Sequence, residues 1–379
     1  MEHYLDNAAT TKVCDEAAQA ALAAMMENYG NPSSTHTKGR EANRLLEKAR
    51  KQVSAALGCT PGELIFTSCG SESDNWAIIN GAEAMRRRGK HIISSAVEHD
   101  AVRRSLDELE SRGFEVTRLA PDEKGGVSLD SVVSALRDDT ILVSLMLVNN
   151  ETGAVTDISS IARAVKKACP AVLVHTDAVQ GFMKVPFTAR TLGADFITIS
   201  GHKLGAPKGV GALYIGHRIP NPRPLLAGGG QEQALRSGTE ATAQIAGFAK
   251  AVELRRQDLN AKLAHMAGIK AYAIRQLTAI PDLRLIGAGE APHILSVSLV
   301  GWPSQNIVND LSAQGICVSA GSACHQGKPS HVVAALKLDK RTAGGVIRLS
   351  FGPETSEEEI DACAEALRRH HDTRMPMLK

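Results

Sequence analysis

The stretch VLVHTDAVQGFMKVPFTARTLGADFITISGHK, residues 172–203, contains the two strand ends that decide the fold. Its runs Val172–Thr176 and Phe196–Ser200 are short, apolar and rich in β-branched residues, so both are predicted as buried strands. The first run is followed by Asp177 and the second by Gly201, His202 and Lys203. An acid and a lysine therefore follow two neighbouring strands of one predicted sheet.

The same alternation of strand and helix patterns extends on both sides of this stretch. Continuous apolar strands separated by helical segments are typical of an α/β unit with a mainly parallel sheet. The last two runs are joined without a helix, which predicts one antiparallel edge. The predicted strands are Leu64–Thr67, His91–Ser95, Phe114–Leu119, Ile141–Val148, Val172–Thr176, Phe196–Ser200 and Gly211–Ile215.

A long helical pattern at Ala241–Leu277 marks the expected boundary between two domains. We predict a large α/β domain over residues 14–255. Residues 1–13 and 256–379 are predicted to form a small α+β domain. Its expected elements are a strand at Ile294–Leu299, a helix at Ser304–Gln314, a strand at Val346–Ser350 and a final helix after the capping box of Ser356 and Glu359.

The composition argues against several classes of protein. Lys and Arg number 43 against 41 Asp and Glu, and aromatic residues make up 3% of the 379 residues. Neither a basic surface nor stacking platforms for nucleic acid are therefore expected. No apolar run approaches the ~20 residues of a membrane helix, and the start MEHYLDNAATT lacks a secretory signal. We expect a cytoplasmic protein without direct nucleic-acid or membrane contact.

The seven cysteines argue against a disulfide framework. Their number is odd, their spacing is wide and no CxxC pair occurs, so no structural metal site is predicted either. Most are expected to be small buried hydrophobic residues, and one could be reactive. They are Cys14, Cys59, Cys69, Cys169, Cys317, Cys324 and Cys363.

The pair of Asp177 and Lys203 has the geometry that pyridoxal phosphate requires. The lysine forms a Schiff base with the cofactor, and the acid pairs with the pyridinium nitrogen. The alternative is a surface lysine in a turn and an unrelated acid at a strand end. Thr67–Ser73 would supply a phosphate cradle, with small hydroxyl residues and free N–H groups at a helix N-terminus. A plain helix cap is the alternative for that segment.

The motifs taken together resemble the cysteine desulfurases of the NifS/IscS type, in the class V aminotransferase group of fold-type I pyridoxal phosphate enzymes. The resemblance implies a large domain with a mainly parallel seven-stranded sheet and a smaller α+β domain. The motifs follow the family's order over nearly the whole chain: Leu5–Thr11, Gly30–Ser34, Phe66–Asn75, Glu98-His99, Val148–Gly153, His175–Gln180, Ser200–Lys203, Arg236–Thr239, Ser319–Cys324 and Ile347–Ser350.

The resemblance implies a role for each residue around the cofactor ring. Lys203 would be the Schiff-base lysine and the base that moves protons. Asp177 would pair with the pyridine nitrogen, Gln180 would hydrogen-bond the ring oxygen, and His99 would stack on the ring face. Without the family, His99 would more often be a helix-cap or surface histidine.

The resemblance also implies the phosphate and substrate contacts. Gly70, Ser71, Ser200 and His202 would hold the phosphate, with Thr239 reaching it from the other subunit of a homodimer.

Asn150 and Arg348 would grip the substrate carboxylate, with Asn31 beside them, and Asn150 would also contact the cofactor. The planar guanidinium fork suits that task. The alternative for Arg348 is an ordinary strand arginine paired with an acid.

Cys324 carries the functional distinction. It lies among small residues in Ser319–Pro329, a composition that favours a mobile surface loop. The nearby His325 and Lys328 would favour its thiolate form. In the family, this loop cysteine attacks the sulfur of the cofactor-bound cysteine and becomes a persulfide.

The resemblance therefore implies a cytoplasmic, homodimeric enzyme that converts L-cysteine to L-alanine. The sulfur would pass from Cys324 to an acceptor protein in iron–sulfur cluster, thio-cofactor or tRNA biosynthesis. The alternatives are a selenocysteine lyase or another class V aminotransferase and, from a different class, a non-catalytic interaction protein on the same scaffold. The sequence does not name the acceptor, an activator protein or the role of Cys69.

Overall fold

The computed structural model describes residues 2–287, 289–320 and 330–377, which contain three sheets of seven, four and two strands. The strands in chain order are β1 His3–Tyr4, β2 Leu64–Thr67, β3 His91–Ser95, β4 Glu115–Leu119, β5 Thr140–Ser144, β6 Leu173–Asp177, β7 Phe196–Ser200, β8 Gly211–Ile215, β9 Leu283–Ile286, β10 Ile294–Leu299, β11 Ile316–Cys317, β12 Ser319–Ala320 and β13 Val346–Ser350.

Helices cover the sheets and connect most of the strands. They are α1 Asp15–Met26, α2 Thr37–Leu57, α3 Gly70–Met85, α4 Asp100–Ser111, α5 Leu129–Ala135, α6 Ile158–Ala168, α7 Ala189–Leu192, α8 Gln231–Ala234, α9 Thr242–Arg256, α10 Leu259–Thr278, α11 Ser304–Ser312, α12 His331–Ala335, α13 Lys340–Gly344 and α14 Glu357–Thr373.

The larger sheet has seven strands in the order β2-β8-β7-β6-β5-β3-β4. The prediction of a mainly parallel seven-stranded sheet is confirmed, because β7, β6, β5, β3 and β4 pair in parallel. The predicted antiparallel pairing of the last two strands is confirmed, but the predicted position of the antiparallel strand at the edge of the sheet is wrong. Strand β8 is antiparallel but lies inside the sheet, because β2 pairs with its outer side and forms the edge.

The long helix predicted at Ala241–Leu277 is two helices. Helix α9 ends at Arg256 and α10 begins at Leu259, with Asp258 between them at φ 52°. Aspartate tolerates this left-handed conformation because its short side chain can bond locally. The chain therefore changes direction inside a pattern that is apolar on both sides of the break.

A second sheet of four strands, in the order β12-β13-β10-β9, lies with α10, α11 and α14 in a separate hydrophobic cluster. The predicted capping box opens α14, where the Ser356 side chain accepts from the N–H of Glu359. The N-terminal segment joins this part through β1, which pairs with β11, and through a bridge between Asp6 and Ser350. The following residues run back to the large sheet.

No helix among the described ranges is both long and apolar enough to cross a membrane. The expectation that most cysteines are buried is wrong for five of the six that the structure describes. Among these six, only Cys363 is buried. The half-buried ones are Cys14, Cys59, Cys69, Cys169 and Cys317.

Candidate active site

A cleft of about 370 Å³ lies where β6 and β7 end and α3 begins. Parallel strands place their carboxyl ends at the same edge of a sheet, and ligands of α/β proteins bind there. Ten of the predicted site residues line this cleft: Gly70, Ser71, His99, Asn150, Asp177, Gln180, Ser200, His202, Lys203 and Arg348.

Lys203 lies on the short 3-10 turn that follows β7. Its Nζ donates to the carbonyl oxygens of Ala8 and Ala9, both at 2.6 Å. Burial, and then the charge of Arg348, lower the pKa of Lys203 to about 8. The amine is therefore held at a fixed point in the cleft and loses its proton far more readily than an ordinary lysine, as a nucleophilic amine requires.

Asp177 ends β6 and receives a hydrogen bond from the N–H of Val179 at 2.9 Å. Burial and the neighbouring Asp74 raise its pKa to about 7. Asp74 is itself buried and its pKa is raised to about 8 by that burial. The two acids resist ionising together, so a cationic partner in the cleft would favour the charged form of Asp177.

Behind these acids, His175 is fully buried and fixed by three polar contacts. Its Nδ1 lies 2.8 Å from Ser144 Oγ, and its Nε2 lies 3.2 Å from Thr198 Oγ1 and 3.4 Å from Asp74 Oδ1. Burial lowers its pKa to about 4. The imidazole is therefore neutral, and Asp74 Oδ1 has no hydrogen-bond partner among the described residues.

The N-terminus of α3 faces the cleft at Gly70 and Ser71. A Cβ at Gly70 would lie 2.8 Å from Val179 Cγ2, so the close approach of backbone here requires glycine. Ser200 Oγ is buried and has no partner among the residues that the structure describes. Free N–H groups and an unbonded hydroxyl at a helix N-terminus form a site suited to phosphate.

His202 adjoins this site, with its Nδ1 3.2 Å from Thr10 Oγ1. Burial and the charge of Lys203 lower its pKa to about 4. The imidazole is therefore neutral, and it can donate one hydrogen bond to an anion while the other nitrogen contacts Thr10.

His99 is the N-cap of α4 and also lines the cleft. Its Nδ1 accepts from the N–H of Ala101 at 3.1 Å. This cap hydrogen bond fixes the orientation of the exposed imidazole ring relative to α4. The helix-cap alternative from the sequence is thus correct, and it is compatible with a place beside a ligand.

Arg348 comes from β13 of the smaller sheet and reaches the cleft. Its Nη1 donates to the carbonyl of Asn150 at 2.8 Å, and its Nη2 to Asp6 Oδ1 at 2.9 Å and Ser319 Oγ at 3.1 Å. Arg348 Nε is buried without a partner within the described ranges. The alternative of an arginine paired with an acid is therefore also met, while the Nε–H is used by no described residue.

Two predicted site residues are described but are not in this cleft. Asn31 and Thr239 are exposed and do not line it. Thr239 follows Arg236, which pairs with Glu72 at 2.9 Å next to the phosphate-type site. Cys324 lies outside the described residues.

Sequence reasoning missed Asp74 and the backbone of Ala8 and Ala9. Asp74 lies four residues after Gly70, so one further turn of the predicted helix was the signal. The carbonyls that receive Lys203 left no signal in side-chain chemistry, because any residue type provides them.

These residues fit pyridoxal phosphate. The cleft combines an amine of lowered pKa, an acid on a neighbouring strand end, an unbonded buried hydroxyl and a helix N-terminus. Its volume lies within the roughly 300–1,000 Å³ of small-molecule sites. Asp74, His99 and Asp177 place possible ligand atoms within 4.8 Å of one another.

Comparisons with known proteins agree with this fit. The family model for Aminotransferase class-V matches residues 3–363. Cysteine desulfurase IscS of Clostridium botulinum (strain Hall) is 39% identical over 373 residues, which are 96% of this chain and 93% of that protein. A solved NifS-like protein has a TM-score of 0.93 at 37% identity, covering 99% of this chain and 100% of its own. SspA in complex with cysteine has a TM-score of 0.80 at 30% identity, covering 94% and 100%.

Proposed function

Because the chain belongs to the class V aminotransferase family, in its cysteine desulfurase group, and is thereby a pyridoxal phosphate enzyme, we propose that it converts L-cysteine to L-alanine with the sulfur held as a persulfide on Cys324. The single observation that carries the proposal is the position of Lys203. Its low-pKa amine shares one cleft with Asp177 and Arg348. The solved relative in complex with cysteine supports the substrate.

The cofactor and the chain divide the chemistry. When bound, pyridoxal phosphate supplies a carbonyl for an amine and a ring that withdraws electrons from the substrate carbons. Gly70, Ser71, Ser200 and His202 would hold its phosphate. Asp177 would lie at the pyridine nitrogen, Gln180 at the ring oxygen and His99 on the ring face, each on the positions that the cleft provides.

Lys203 would move the substrate protons. Its pKa of about 8 lies near neutrality, where a group can both accept and return a proton efficiently. The two carbonyls of Ala8 and Ala9 hold Nζ in place between these events. The amine is therefore positioned before substrate arrives.

Arg348 and Asn150 would hold the substrate carboxylate. The unpartnered Nε of Arg348 is the free donor, and the carboxylate would compete with Asp6 for Nη2. Asn31 is proposed to join this contact from its exposed segment. A planar fork with two donors fixes the orientation as well as the charge of a carboxylate.

Cys324 would take the sulfur. Its thiolate attacks the substrate sulfur, a new S–S bond forms and the C–S bond breaks, with the electron pair left on the substrate β-carbon. That carbon takes a proton, and alanine leaves while Cys324 keeps the extra sulfur as a persulfide. Only a thiolate is nucleophilic enough for this attack.

The finer assignments belong to the same proposal. From its membership of the family, we propose a cytosolic homodimer in which Thr239 of one protomer reaches the phosphate of the other. Thr239 is exposed and does not line the cleft of its own chain, which supports this proposal. The persulfide then passes to an acceptor protein in iron–sulfur cluster or thio-cofactor biosynthesis. A reducing compartment keeps such thiols available.

Cys324→Ser tests the proposal, with Cys317→Ser as the matched control. The Cys324 variant should bind cofactor and change its spectrum with cysteine, yet form no persulfide and release almost no alanine. Mass spectrometry of the unaltered protein after turnover without reductant should find one extra sulfur on the Cys324 peptide. Normal alanine release by Cys324→Ser would contradict the proposal and favour a lyase or transaminase.

A further inference from the structure

Two buried basic side chains meet the amide of Gln180 from behind the cleft. Lys184 Nζ lies 3.4 Å and His293 Nε2 lies 3.3 Å from Gln180 Oε1. Lys184 is 2% exposed and His293 is fully buried. Within the described part of the chain, no carboxylate forms an ion pair with Lys184, so the amide oxygen is its side-chain partner. A buried lysine without an acid is costly and is rarely kept for stability.

The contacts of Gln180 determine which way its amide points. Its Nε2 lies 2.8 Å from the carbonyl oxygen of Ala8, which can only accept, so this atom must be the NH₂ group. Oε1 must then face Lys184 and His293, which donate to it. One N–H of Gln180 is committed to Ala8, the second has no hydrogen-bond partner among the described residues, and Gln180 lines the cleft.

Neutral donors suffice for this arrangement. Burial, with the charges of Arg255, Lys203 and Arg348, lowers the pKa of Lys184 well below its ordinary value. Burial, with the charges of Lys184, Arg255, Lys270 and Arg348, lowers the pKa of His293. Both groups therefore act through the hydrogen bonds they donate, and removing the donor is the informative change.

We propose that Lys184 and His293 are positioning residues that hold the Gln180 amide with an N–H toward the ring oxygen of the cofactor. The inference rests on the proposed function, which places that oxygen beside Gln180. A donated hydrogen bond stabilises the deprotonated ring oxygen, whereas a flipped amide would present Oε1 and favour a proton on it. The two cofactor forms differ in absorption, so the ratio of the two bands reports the orientation of the amide.

The test is a double-mutant cycle read from the absorption spectrum of the loaded protein at one fixed pH. Gln180→Leu should lower the ratio of the deprotonated to the protonated band about fivefold, the loss expected for one hydrogen bond. Lys184→Met, which keeps the length of the side chain, should lower it about two- to threefold. In the Gln180→Leu background, Lys184→Met should change it no further, because coupled residues are not additive.

His293 provides a second arm that does not depend on the stability of the Lys184 variant. His293→Leu should lower the band ratio, and His293→Gln, whose amide N–H replaces that of Nε2, should restore most of it. Lys270→Met is the matched control, because this buried lysine donates to the carbonyls of Gly289 and Ala291 and not to Gln180. It should leave the ratio unchanged, and urea unfolding of each variant records any loss of fold.

The outcomes separate this inference from the proposed function. Equal shifts by Lys184→Met with and without Gln180, or no shift by Lys184→Met together with no rescue at His293, would overturn the positioning role. The proposed function fails separately, if the unaltered protein neither loads pyridoxal phosphate nor releases alanine from cysteine.

Discussion

Lys203 and Lys270 make the same kind of hydrogen bonds in two different regions of the molecule. Each Nζ donates to two backbone carbonyls, Ala8 and Ala9 for Lys203, Gly289 and Ala291 for Lys270. Burial lowers the pKa of each to about 8. Local bonding and proton affinity alone therefore do not distinguish a reactive lysine from a structural one.

The surroundings make the difference. Lys203 lies in a cleft with the carboxyl of Asp177, the guanidinium of Arg348 and the α3 N-terminus. Lys270 extends from α10 to the carbonyls of the loop before β10, where the charge of Glu290 opposes the lowering of its pKa by burial. A reactive amine needs an open volume and complementary groups around it, and only the first region supplies them.

Replacing each of the two lysines by alanine should give the largest difference in activity between two variants. Lys203→Ala should abolish the cofactor absorption band and lower turnover by at least about 10²–10⁴-fold, because the base and the amine are lost together. Lys270→Ala should keep the band and turnover, but lower the free energy of unfolding by about 1–3 kcal/mol because two carbonyls lose their donor. Steady-state alanine release and urea unfolding measure the two effects. Retention of the band in Lys203→Ala would break the comparison.

Arg348→Lys tests whether the cleft recognises a carboxylate. A lysine keeps the charge but loses the planar fork, so KM for cysteine should rise about tenfold or more with a smaller change in kcat. Cofactor affinity should be unchanged. An unchanged KM would mean that Arg348 serves only its contacts to Asp6 and Asn150.

The buried acid of the cleft should make stability depend on pH. Folding raises the pKa of Asp74 from 3.8 to about 8. Between these pH values the folded apoprotein therefore binds more protons than the unfolded chain. Its contribution is therefore present at low pH and is lost as pH rises toward 8. Asp74→Asn should lose less unfolding free energy from pH 5 to pH 8 than the unaltered protein, by about 1 kcal/mol or more. Parallel pH profiles from urea unfolding would contradict this.

The smallest effect on cofactor binding is expected from Ser200, beside the N-terminus of α3. Ser200 Oγ is one buried donor among several backbone groups. Ser200→Ala should therefore weaken cofactor binding by about five- to tenfold, the loss of one hydrogen bond. Equilibrium titration of the apoprotein with pyridoxal phosphate measures this, and Ser54→Ala, a buried serine on α2, is the control. Equal effects of the two changes would remove Ser200 from the phosphate site.

The sequence predicted the strand ends well because they depend on local patterns. Leu64–Thr67, Phe196–Ser200 and Gly211–Ile215 occur as predicted, and ten predicted site residues share one cleft. The place of β8 inside the sheet was not predictable from its neighbours in sequence, because β2 comes almost 150 residues earlier. The break at Asp258 was hidden by apolar patterns on both sides. The role of the Ala8 and Ala9 carbonyls depends on a contact across almost 200 residues.

Reduction of the loaded protein with borohydride, followed by peptide mapping, locates the amine that binds the cofactor. Borohydride converts a carbonyl–amine linkage into a stable one, so the cofactor remains on the lysine that carried it. The pyridoxyl group should be found on the peptide that contains Lys203, with none on the peptides of Lys184 or Lys270. Its appearance on either of those peptides, or on no lysine, would contradict the assignment of the cleft as the catalytic site.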